Sequence, residues 1–132
     1  MNCGDTFLTG NDEDDDYHLW IIITPPQNDE VVTVSVSTRR KRSEPLVILN
    51  KGDHPFINRE SVILYAFARI RCLTDISAAI ANGTAKKREP VSEGILKRVQ
   101  AGLLESDFTP NGVKRFFWQV MEENAAKKKA GA

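Results

Sequence analysis

The chain reads as a single α+β domain, with short strands filling its first half and helices its second. Three observations predict this. Between Thr6 and Ile70, apolar residues gather in short runs or alternate with polar ones, the period of a half-buried strand. From Thr74 onward they recur every three to four residues, the period of a helix with one buried face. The 132 residues suit one core. No linker divides the chain, which reads as one domain over residues 1–124 with a disordered tail at 125–132. Five short strands separated by turn signals suit a small barrel or a strongly bent antiparallel sheet with C-terminal helices against it.

The elements follow in order. Gly4 to Thr9 starts a short strand, and Thr9 to Asp16 is an acidic loop. His18 to Thr24 is a buried strand stopped by Pro25-Pro26. After turn residues Gln27 to Asp29, Val32, Val34 and Val36 alternate with Thr33, Ser35 and Ser37, giving a strand with one polar face. The basic loop Arg39-Arg40-Lys41-Arg42 follows, then a strand at Leu46 to Leu49. Asn50 to Pro55 is turn-rich. Ser61 to Ile70 forms the longest strand, with Val62, Leu64, Ala66, Ala68 and Ile70 on one face. Val34, Val36, Val62, Leu64 and Ile21 are expected in the core. Thr74 is placed to cap a helix that closes at Asn82-Gly83. Thr84 to Pro90 reads as a polar, basic connector. Ser92 caps a helix carrying Ile95, Leu96, Val99 and Leu103. Thr109-Pro110 opens another, presenting Val113, Phe116, Phe117, Val120 and Met121.

Composition excludes several function classes. The longest apolar run, Leu19 to Ile23, is far short of the roughly 20 residues that cross a bilayer, so a membrane partner is not expected. No basic segment precedes an apolar one as in a signal peptide, and a cytoplasmic protein is expected. Cys3 and Cys72 form no CxxC pair. With two His besides, they are too few and too scattered for a zinc site, so neither metal nor cofactor is expected. Formal net charge is zero but unevenly spread: residues 1–30 hold eight acidic side chains and no Lys or Arg, leaving 18 basic and 10 acidic residues beyond. That asymmetry points to an anionic partner for the basic part, or to an acidic loop lying beside the basic one.

The candidate chemistry centres on the basic run. Arg39, Arg40, Lys41 and Arg42 can hold a phosphodiester backbone, with Ser37 and Thr38 beside them as hydrogen-bond donors to phosphate oxygens; the alternative is a solvated hairpin tip. Histidine is the side chain suited to proton transfer near neutral pH. His18, at the end of an apolar strand, is a candidate general base or acid, or else a half-buried structural residue. His54 is the other candidate general base or acid, or else a turn residue framed by Asp53 and Pro55.

In order, these pieces resemble the PemK/MazF-like toxin family of small SH3-like barrels. Gly4-Asp5-Thr6-Phe7-Leu8 stands for the family's opening Gly-Asp strand. Leu19 to Pro25 stands for its apolar strand and Pro turn, and Val34 to Thr38 for its hydroxyl-ended strand. Phe67-Ala68-Arg69-Ile70 is similar to the strand before its helix, and Pro90-Val91-Ser92-Glu93 to Leu103 to its closing helix. The resemblance runs over about residues 4–104 and implies a metal-independent endoribonuclease acting on single-stranded RNA, a cognate antitoxin protein and a homodimer. In that family an Arg on the second strand works with a Thr or Ser on the third. Ser37 matches the hydroxyl, with Thr38 adjacent, but the Gly-x-Arg-Pro signature is absent and His18 stands where the Arg would. The expected catalytic pair is therefore His18 and Ser37. A catalytically silent RNA- or protein-binding module of the same fold is the alternative, and an interaction protein whose acidic loop masks a nucleic-acid surface is a third reading.

Overall fold

The computed structural model describes residues 1–10 and 17–130. Its strands are β1 (Thr6–Thr9), β2 (His18–Ile22), β3 (Glu30–Thr38), β4 (Ile48–Leu49) and β5 (Ser61–Cys72), followed by helix α1 (Leu73–Ala81), strand β6 (Ala85–Arg88), and helices α2 (Glu93–Glu105) and α3 (Asn111–Ala130). All strand pairs are antiparallel, in the order β4-β5-β3-β2-β1-β6, and the sheet curls into a half-barrel. The α+β class and the bent antiparallel sheet agree with the sequence. The strand count does not, because the segment read as a basic connector is β6, paired along β1 from Thr6–Arg88 to Thr9–Ala85. Lys86, Lys87 and Arg88 are exposed on this edge strand, where cations discourage pairing with another chain.

The two sheet faces bury different clusters. Leu19, Ile21, Val32, Val34 and Val36 pack with Ile95, Val99 and Leu103 of α2 and with Val113 and Phe117 of α3. On the opposite face Phe7, Trp20, Ile22 and Val31 pack with Ile76 of α1. Of the five expected core residues, Val34, Val36, Val62 and Ile21 are buried, while Leu64 is only partly so. The cause lies in β5. Thr33 pairs with Arg69, but Ser35 pairs with Leu64, so β5 carries three extra residues across this step. An odd insertion reverses which alternate side chains face the core. Ile63 and Tyr65 face it before the bulge, Ala68 after it, and the single alternation read over Ser61 to Ile70 breaks there.

Turns and caps hold this frame. Asn28 (φ 51°) and Asp29 (φ 64°) both adopt left-handed backbone between the paired residues Gln27 and Glu30, a two-residue hairpin turn that suits Asn and Asp. Asp29 also caps α1. Its carbonyl accepts from the Leu73 N–H at 2.7 Å, and its carboxylate accepts from the Thr74 N–H and from the Cys72 thiol. Those side-chain hydrogen bonds, the thiol's first, hold the Asp29 carboxyl below its ordinary pKa. Thr74, expected as the cap, instead donates to Asp29 from both its backbone and its side chain; Cys72 occupies the N-cap position, and its side chain makes no capping hydrogen bond. In α2, Ser92 accepts from the Ile95 N–H at 3.2 Å as expected. Ser92→Ala should cost about 1 kcal/mol in urea denaturation, whereas Ser92→Asp should cost little. Helix α3 continues through Ala130 instead of ending near residue 124, although residues 125–129 are exposed and bury nothing. Lys127, Lys128 and Lys129 lie in its last turn, where cations favour the helix dipole. Both cysteines are free thiols. No helix among the described residues is long and apolar enough to cross a membrane.

Candidate nucleic-acid interface

The central feature is a cleft of about 430 Å³ at the end of β2 and β3, lined by Tyr17, His18, Ser37, Thr38, Arg40 and the segment Phe56–Arg59, with Val36 and Ser61. Sheet register explains why β2 and β3 meet there. Leu19 pairs with Val36, so His18 and Ser37 each lie one residue past that pair. On the other side of β3, Ser37 pairs with Val62 and Thr38 with Ser61. Alternation sets His18 and Ser37 on the face of Trp20 and Ser35, and Thr38 on the face of Val36. The cleft therefore takes the rim where both faces run out. His18 is exposed, not half-buried, and Ser37 and Thr38 are partly buried.

The far wall comes from a segment whose position the sequence did not disclose. His54 is 2% exposed and serves as its anchor. Its Nδ1 accepts from the Phe56 N–H at 3.0 Å, which leaves the ring proton on Nε2 to donate to the Glu89 carbonyl at 2.6 Å. Thr6 Oγ1 lies 3.3 Å from the same nitrogen and donates to the same carbonyl. The His54 carbonyl also accepts from the Ile57 N–H, and Ile57 is buried in the main core. With Ile57 fixed inward, its neighbours Phe56, Asn58 and Arg59 remain exposed along the cleft. His54 is thus a structural residue bonded through both ring nitrogens.

The four consecutive cations take up different positions. Arg39 Nη1 contacts Glu60 Oε1 at 2.6 Å, and its backbone N–H donates to the Glu60 carbonyl, so its charge is matched outside the cleft. Arg40 lines the cleft. Its N–H donates to Ser43 Oγ at 2.8 Å, closing a tight turn. Lys41 is exposed, and Arg42 borders a separate hollow of about 190 Å³ with Glu44 and Phe108. Arg59, absent from the sequence-based set, joins Arg40 as the second cation of the cleft. Beyond Tyr17, Lys86 of β6 lies over the Tyr17 ring, 5.9 Å from its centroid, extending positive charge along the surface. The acidic residues 12–16 lie outside the described residues.

Chemically, the cleft offers two cations for phosphate, the hydroxyls of Ser37 and Thr38 and the amide of Asn58 as hydrogen-bonding groups, and an imidazole for proton transfer. Tyr17 and Phe56, the latter 39% exposed, add ring faces on which bases can stack. Among the described residues, no three His, Cys, Asp or Glu side chains gather as a metal site requires. Cys3 is no activated nucleophile, since burial and then the Asp5 carboxylate push its thiol up to about 11. No family model matches the chain, and no curated protein matches it either.

Proposed function

We propose that the protein is a PemK/MazF-like, toxin-type endoribonuclease that holds single-stranded RNA in this cleft and cuts it without a metal ion. One observation carries the reading. Residues as distant in sequence as His18, Ser37, Arg40 and Arg59 converge on a single cleft with aromatic rings at its sides. His18 removes the proton of a ribose 2′-OH, and the freed oxygen attacks the adjacent phosphorus. The bond to the 5′-oxygen breaks, that oxygen leaves with a proton from water, and a 2′,3′-cyclic phosphate remains. Arg40 and Arg59 balance the charge that builds on the phosphoryl oxygens, and Ser37 and Thr38 fix the phosphate by hydrogen bonds. Where the family carries a permanent cation, this chain carries His18, and Arg40 and Arg59 stand in for the charge. The same resemblance supports a cytoplasmic setting, a cognate antitoxin protein that blocks the cleft, and a homodimer.

A second reading follows from that exchange of Arg for His18: a catalytically silent module that binds RNA in the same cleft. Incubation with end-labelled single-stranded RNA in EDTA separates the two, since cyclic-phosphate products support the nuclease and retained binding without products supports the module. Loss of both activities would overturn the site. Binding can be tested residue by residue. Arg40→Gln with Arg59→Gln should weaken RNA binding and flatten the plot of log affinity against log salt by about 1.4, the value for two phosphate contacts on a single strand. Arg39→Gln should change neither, because Glu60 already matches its charge.

A further inference from the structure

A second cavity, of about 310 Å³, lies on the sheet face that carries α1 and shares no lining residue with the cleft. One part is apolar, formed by Phe7, Ile76, Ala79 and Ala85. Another is cationic, formed by Arg69 and Arg71. The two arginines are two residues apart on β5 and therefore share one face of the strand. Their guanidinium carbons sit 5.6 and 4.3 Å from the centroid of the Trp20 ring. The indole N–H donates to Thr9 Oγ1 at 3.0 Å, and Arg71 Nε donates to Thr33 Oγ1 at 3.2 Å, which fixes the indole and aligns the planar cation against it.

Among the described residues, neither arginine has a carboxylate partner. Ion pairs among the described residues join Arg39 to Glu60, Lys87 to Asp5 and Lys97 to Glu93; none includes Arg69 or Arg71. Asp75 lines the same cavity but pairs with neither. The Trp20 ring and Thr33 offset the charge of the two arginines only in part, and an anion placed between the exposed Arg69 and the half-buried Arg71 would match the rest. Burial, and then the charge of Arg69, draw the Arg71 guanidinium below its ordinary pKa. The cavity volume falls at the lower end of the roughly 300–1,000 Å³ typical of small-ligand sites. Two cations call for a dianion: a phosphate monoester carries about −1.5 to −2 near neutral pH, which a single carboxylate cannot match. The apolar wall calls for a ring attached to that phosphate.

We propose that this cavity binds a small phosphate monoester with an aromatic or heteroaromatic body, of the nucleoside monophosphate class. Arg69 and Arg71 take the phosphate, while Phe7, Ile76 and Ala79 take the ring. Trp20 reports occupancy, and replacing Trp118 by Phe leaves it the sole tryptophan. In that protein, titration with adenosine and uridine monophosphates should change Trp20 fluorescence saturably. The matching nucleosides and inorganic phosphate alone should each bind at least about tenfold more weakly, lacking one half of the recognition. Arg71→Lys, which keeps the charge but loses the fork, and Arg69→Gln, at an exposed position, should each weaken the nucleotide by about tenfold. Arg40→Gln should leave it unchanged. No saturable response to either nucleotide, equal binding of nucleoside and nucleotide, equal binding of inorganic phosphate, or indifference to both Arg69→Gln and Arg71→Lys would overturn the proposal. So would loss of nucleotide binding in Arg40→Gln, which would place the ligand in the cleft.

Discussion

Gly102→Ala should destabilise the protein by roughly 2–4 kcal/mol, although alanine is the better helix former by about 1 kcal/mol. The reason is a close approach between α2 and β5. A methyl group on Gly102 would overlap Tyr65 Oη and stand 2.7 Å from Val47 Cγ2 and 2.9 Å from Tyr65 Cζ. None of these is a yielding surface atom. Tyr65 is 1% exposed, and its hydroxyl donates to the Val99 carbonyl at 2.8 Å, on the same helix one turn earlier. Burial, with help from the nearby Glu44 and Glu105 carboxylates, raises the Tyr65 pKa, so the ring stays neutral and keeps that donor. To admit the methyl, Tyr65 must move and lose its buried hydrogen bond, or α2 must lift from the sheet. Overpacking costs typically 1–3 kcal/mol and an abandoned buried polar group about as much, which together outweigh the gain in helix propensity. Gly94 on the same helix provides the control. A methyl there meets nothing within 4 Å, and Gly94→Ala should be neutral to stabilising by up to about 1 kcal/mol. Urea denaturation of both variants checks the contrast. Adding Tyr65→Phe to Gly102→Ala should recover part of the loss by removing the oxygen that collides. Equal stability of Gly102→Ala and the parent would mean that α2 does not pack this closely.

How much of this was legible in the sequence depends on the range of the interactions involved. Val32 to Ser37 declares a strand through its own alternation, and Ser92 declares a helix start through its own side chain. Ala85 to Arg88 gives no such signal. It becomes β6 because β1, some 80 positions earlier, offers an unpaired edge, and its outward residues remain polar because that edge faces solvent. The cap of α1 escaped for the same reason, since Asp29 reaches it from a hairpin turn more than 40 residues upstream. In the cleft, Ser37 and Thr38 were recognisable as the hydroxyl end of β3, and His18 as the polar end of β2. Arg39 and Arg40 are indistinguishable as neighbours in sequence. Only the position of Glu60, set by the pairing of β3 with β5, directs one into an ion pair and leaves the other at the cleft. Phe56, Asn58 and Arg59 were hidden because their outward placement follows from the burial of Ile57 and His54, contacts that no local pattern encodes.

If the cleft acts as the proposed nuclease, His18→Ala should lower the rate of RNA cleavage by on the order of 10²-fold, the usual lower worth of one acid–base group, while RNA affinity changes little. The split between rate and affinity follows from the division of labour at the strand ends. On the proposed mechanism Arg40, Arg59, Tyr17 and Phe56 are the groups that hold the strand before and during reaction, whereas proton removal matters only at the transition state. Ser37→Ala would remove the proposed hydrogen bond to the phosphate and should cost less, with Thr38 one residue away to take up part of the contact. Chemistry by the 2′-OH has its own signature. The 3′ product should end in a 2′,3′-cyclic phosphate, and a 2′-O-methyl group at the cut position should stop cleavage without weakening binding. EDTA should leave the rate unchanged. His18→Gln separates shape from proton transfer, since Gln keeps a hydrogen-bonding side chain at this exposed position but cannot accept the proton at neutral pH. It should be as slow as His18→Ala. Full activity in His18→Gln, or cleavage that requires Mg²⁺, would move the chemistry away from His18 while leaving the RNA-binding role of Arg40 and Arg59 to be judged by its own salt dependence.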